Sequence, residues 1–130
     1  MMHARANLAQ WAQAIIGTHV DAASAAIAQF CAKPASAKRL HRTRKRLARL
    51  RAVLDDLAGI AGVTGTFSER IGRVHRRAGK VRDADVLLQR VQSYRDDASG
   101  EELQQLNHLR RVLRKRAKRM RRKLVRELQR

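Results

Sequence analysis

Apolar residues recur at three- and four-residue steps through almost the whole of this chain, and a single proline, Pro34, interrupts them. That spacing belongs to helices that each pack one stripe; half-buried strands would need strict alternation. Trp11, Phe30, Phe67 and Tyr94 are the only aromatics, too few, beside one proline, for a turn-rich β sandwich. The expected fold class is all-α. A length of 130 residues makes a single domain, 1–130, with one core. Hydrophobic residues at 44% argue for folding even though 32% of the chain is charged.

From Met1 to Lys33 the ordinary charges are Arg5, Asp21 and Lys33 alone. Leu8, Trp11, Ile15, His19, Ala22, Ala26 and Phe30 form a helical stripe there, widened by Ile16, Val20, Ala23 and Ile27. A helix this apolar is either central to the core or held for another subunit. No run approaches the ~18–20 uninterrupted apolar residues of a membrane span, and the start lacks the pattern of a secretion signal, so no membrane span is expected. Cys31 is the only cysteine, which excludes an intrachain disulfide and suits a reducing cytoplasm. No metal-like His/Cys grouping appears, and no cofactor is expected.

Lys33-Pro34-Ala35-Ser36 breaks the first helix, with Ser36 placed to cap a second from about Ala37 to Ala58. Gly59, Gly62 and Gly65 punctuate a turn, and Thr66-Phe67-Ser68-Glu69 reads as a capping box opening a third helix to about Tyr94. Ser99-Gly100-Glu101-Glu102 reads as a second capping box before a last helix. Connections this short make neighbours antiparallel, so the predicted architecture is an antiparallel up-and-down four-helix bundle.

The 30 Lys and Arg outnumber the 11 Asp and Glu, a net charge of +19, and such a surface gathers multivalent anions. On helix two, Leu40, Thr43, Leu47, Leu50, Val53, Leu54 and Leu57 make the core face. Lys38, His41, Arg42, Lys45, Arg46 and Arg49 spread over the opposite arc, while Arg44 and Arg51 flank the stripe together. No acidic residue occurs between Lys38 and Leu54, so each close pair of cations costs a few tenths of a kcal/mol that a bound anion would relieve. Helix three buries Phe67, Ile71, Val74, Ala78, Val81 and Leu88, but Asp85 falls inside that stripe with Arg82 at its edge. An unpaired carboxylate there would cost several kcal/mol, so Asp85 is expected to bond Arg44 or Arg51. Arg70, Arg73, Arg76, Arg77 and Lys80 form the outer surface, with Asp83 near Arg76 or Lys80. The last helix carries a narrow seam from Leu103 to Leu128, and from Arg110 onward Glu127 alone faces twelve basic residues.

The string from His41 to Arg51, followed by Ala78-Gly79-Lys80-Val81-Arg82-Asp83-Ala84-Asp85-Val86-Leu87-Leu88, resembles the CHAD family, the conserved histidine α-helical domains. The family pattern is His-x-x-Arg with further cations ending in Leu-Arg, then Gly-x-x-Arg-Asp-x-Asp-Val-Leu on a later helix. The resemblance covers roughly residues 38–91. It implies helical bundles that bind inorganic polyphosphate in a basic channel without chemistry on the polymer. Carried over position by position, it implies His41, Arg44, Lys45, Arg51, Arg76 and Arg82 as polyphosphate-binding residues. Ala48 stands where the family has a cation, with Arg49 substituting from the neighbouring angle. A complete domain of the family has two four-helix bundles around a pore, and this chain resembles the N-terminal half. Either a homodimer through helix one rebuilds the pore, or the chain is a fragment or a degenerate relative of the family.

The functional expectation is polyphosphate binding by helices two and three, helped by the basic last helix, in the cytoplasm and at polyphosphate granules. The alternative is a nonspecific nucleic-acid-binding helical protein, against which stand the lack of an aromatic stacking platform and of helix-turn-helix spacing. No catalytic set is tied together by a motif, and the chain is expected not to be an enzyme.

Overall fold

The computed structural model describes residues 2–129, with side chains described from residue 7 onward; Arg5 and Arg130, counted among the charges above, lie outside the described side chains. Four helices follow one another: α1 Met2–Ala32, α2 Ala37–Ala61, α3 Gly65–Asp96 and α4 Gly100–Leu128. The chain is 91% helical, and no strand occurs among the described residues. Each helix packs on the next in sequence, whereas α1 and α4 touch only lightly. This is the expected bundle, opened along the α1–α4 side.

Local chemistry sets the helix ends. Ser36 caps α2, its Oγ accepting from the Arg39 N–H at 3.2 Å. α2 runs one turn past Ala58, and the glycine that stops it is Gly62, at φ 73° in the left-handed region, with its N–H and that of Val63 both turned back to the Ala58 carbonyl. Thr64, not Thr66, caps α3, accepting from the Phe67 N–H at 3.4 Å. A threonine two residues earlier already has the extended backbone a cap needs, which leaves Thr66 inside the first turn. Ser99 stands at the N-cap of α4 without a side-chain bond.

Two packed clusters make the core. Phe30, Leu40, Leu47, Val74, Ala78, Val81 and Leu124 join all four helices. Ala12, Ile16, Ala23, Leu50, Leu54 and Ala61 join α1 to α2, with Phe67 and Ile71 of α3 against them. Full burial of each large aliphatic or aromatic side chain contributes about 1.5–3 kcal/mol. Thr43, the one buried polar residue among those described, donates its hydroxyl to the Ala26 carbonyl at 3.2 Å, so the predicted core face of α2 holds even at its polar member.

The stripe expected on helix one is rotated. Ala12, Ile16, Ala23, Ala26 and Phe30 are buried, whereas Leu8 and Trp11 are 48% and 54% exposed. Gln13 donates to the Ala61 carbonyl at 3.0 Å, marking where α1 outruns the end of α2. By length and composition alone, Asn7–Ala32 would suffice to cross a membrane; in this fold its buried face lies on α2.

Candidate functional site

The cleft between α2 and α3 gathers cations from both helices. Arg44 and Arg51 stand seven residues apart on α2, which is two turns on one face. Across from them on α3, Gly72 is buried, and from the point a Cβ would occupy there Arg76 Nη1 lies 3.5 Å away, Arg51 Nε 3.7 Å and Arg51 Cζ 3.8 Å. Two guanidinium groups from different helices thus share the space over one glycine. A side chain larger than methyl at this position would displace them.

His75, one turn beyond Gly72, belongs to the same group. Its pKa is lowered, chiefly by burial and then by the positive charges of Arg51, Arg44 and Arg76. Its Nδ1 and the Nε of Arg44 are both buried without a hydrogen-bond partner, a costly state for a polar group. The salt bridges among the described residues, Arg77–Glu127 and Arg121–Asp85, leave Arg44, Arg51 and Arg76 unneutralised. The cluster is therefore a half-buried group of cations, with Arg76 at its exposed edge and no carboxylate among them, suited to an oxyanion that accepts from several donors at once.

Asp85 does not take the partner expected of it. Arg121 of α4 grips it with both terminal nitrogens, Nη1 to Oδ1 at 2.6 Å and Nη2 to Oδ2 at 2.5 Å, and donates Nε to the Pro34 carbonyl at 2.7 Å. The antiparallel register of α3 and α4 brings Arg121 opposite Asp85, and this leaves Arg44 and Arg51 without a carboxylate. Arg77, assigned to the open outer surface, bonds Glu127 of α4 at 2.7 Å. Asp83, expected to temper Arg76 or Lys80, forms no salt bridge among the described residues.

The sequence-derived site residues divide into three. Arg51 and Arg76 meet over Gly72, and Arg44 stands close enough to His75 for its charge to be felt there. Arg82 lies farther along α3 in a groove shared with Asp85, Arg114 and Lys118. His41, Lys45 and Arg49 are exposed and follow one another at four-residue steps along the outside of α2, turned from Arg44 and Arg51 by roughly a third of the helix circumference at ~100° per residue. Arg49 therefore extends the outer stripe and does not fill the cleft. Other cations of α2 are tied to α1: Arg39 donates to the Gln29 carbonyl at 2.7 Å and Arg42 to Gln29 Oε1 at 3.0 Å.

Gly72 and His75 are the residues that sequence reasoning missed. The signal for them was their three-residue spacing, with Arg76 four residues after Gly72, which sets all three over neighbouring turns of one helix face. Of known protein families, the CHAD domain matches residues 14–130 of the chain. No curated protein and no solved structure matches it.

Proposed function

The chain belongs to the CHAD domain family, and from this we propose that it binds inorganic polyphosphate, with the α2–α3 cleft as the anchoring site and no turnover of the polymer. The observation that carries the reading is Arg51 and Arg76 over Gly72, with the charges of both and of Arg44 felt by His75 and with two buried nitrogens lacking partners. Phosphate oxygens would accept from Arg44 Nε and, with the ring protonated, from His75 Nδ1, and would relieve the repulsion among the guanidiniums; the flat fork of arginine matches them through paired hydrogen bonds. The exposed stripe of His41, Lys45 and Arg49 supports attraction of the polymer over a longer range, a contribution screened by salt. Bases play no part in this recognition.

A competition titration at physiological salt tests it. Long-chain polyphosphate should displace duplex DNA at equal phosphate concentration, and the combined variant R44Q/R51Q/R76Q should lose most of that preference. Equal or reversed affinities for the two polymers would instead favour nonspecific nucleic-acid binding.

We further propose a homodimer through α1. Residues 7–32 contain no lysine or arginine, so α1 is the helix along which two chains of net charge +19 approach with least repulsion. Leu8 and Trp11 are exposed there, and Ile60 of α2 is 44% exposed at the same end.

A further inference from the structure

The cationic surface does not end at the cleft. Arg82 follows His75 by seven residues, two turns along the same face of α3, and so continues the line of Arg51, His75 and Arg44. Its groove is also lined by Arg114 and Lys118 of α4, by Ala35 of the α1–α2 connection and by Ala37 at the start of α2. A second groove adjoins it and shares Ala35, Lys118 and Arg121; Arg119, Arg122 and Arg126 carry it onward beside Pro34. Arg121 is the wall between them, its charge already matched by Asp85 and its Nε held by Pro34. Arg114, Lys118, Arg122 and Arg126 follow at four-residue steps and are all exposed, so they lie along one side of α4.

We propose that the cleft and the α4 grooves form one continuous track, joined at Arg82, which makes the protein selective for long polyphosphate over short. This rests on the reading of the cleft as a polyphosphate site. At 1.5 Å per residue, Gly72 to Arg82 covers about 15 Å and Lys118 to Arg126 about 12 Å. A triphosphate is too short to occupy both stretches. A long chain held in the cleft meets the α4 cations at high effective concentration, and such linkage can raise affinity about 10²–10⁴-fold without any new kind of contact.

The test compares tripolyphosphate with chains of many tens of phosphates, by calorimetric titration of the intact protein and of K118Q/R119Q/R122Q/R126Q. The wild type should favour the long chain per phosphate at least tenfold, and the variant should lose most of that ratio. The same variant should show a shallower dependence of long-chain affinity on salt, by counterion release. A variant that keeps the full long-chain advantage and the full salt dependence overturns the track. A wild type that binds neither length sinks the parent reading instead. All four substituted side chains are exposed; should the quadruple variant melt early, R122Q/R126Q is read by the same two criteria, with a smaller loss of the ratio expected.

Discussion

His75 carries the clearest consequence of a single residue's surroundings. Burial, Arg51 and Arg44 from α2, and Arg76 from its own helix all disfavour its protonated form, so its pKa lies below the ordinary 6.5. As pH falls through that ordinary value the unfolded chain takes up a proton that the folded chain resists, and stability falls. The loss levels off only below the folded-state pKa. Thermal melts of the ligand-free protein should therefore drop between pH 7.5 and 5, and H75Q should remove part of the drop. A bound polyanion reverses the local field. Binding should then draw a proton onto His75, seen as buffer-dependent binding heat near pH 6 that H75Q diminishes. A wild type and variant with superimposable pH profiles would show that His75 does not feel the cluster.

At the level of elements, Arg121 fastens three parts of the chain: α4, which bears it; α3, through Asp85; and the α1–α2 connection, through the Pro34 carbonyl. The pair is largely buried, with side chains 12% and 14% exposed. Removing one partner strands a charge, which costs about 3–5 kcal/mol, whereas apolar replacement of both is far milder. D85A should thus lower stability in denaturant unfolding by about that amount, and D85L/R121M should recover most of it. The two variants unfolding alike would mean that the ion pair contributes little. The motif aspartate at position 85 accordingly acts as a clasp that leaves the cleft arginines free. α4 depends on it heavily, because among the described residues it contributes Leu124 alone to the buried members of the four-helix cluster and none to the second cluster.

Across the whole molecule, charge and apolarity are segregated. Most cations lie on α2, α3 and α4, while residues 7–32 of α1 carry Asp21 as their one ordinary charge and leave Leu8 and Trp11 uncovered. An exposed apolar group on a helical stretch without lysine or arginine, in a protein of net charge +19, is the surface on which like chains can meet. Sedimentation of the free protein should give twice the chain mass, and W11E should give the monomer; a monomeric wild type at tens of micromolar removes the dimer from the account.

Helix number, helix order and the core face of α2 were legible in the residues themselves, because three- and four-residue periodicity is a local property that any packed helix must satisfy. So was the excess of cations, and the pairing of two motifs that pointed to the family. The choice of Asp85's partner was not, since Arg44, Arg51 and Arg121 are equally plausible until the register of α4 against α3 is known. Nor was the split of seven candidate residues into a cleft, a groove and an outer stripe. Rotation about a helix axis by one residue moves a side chain by ~100°, and only the packing of neighbouring helices decides which of those directions faces a second cation and which faces water.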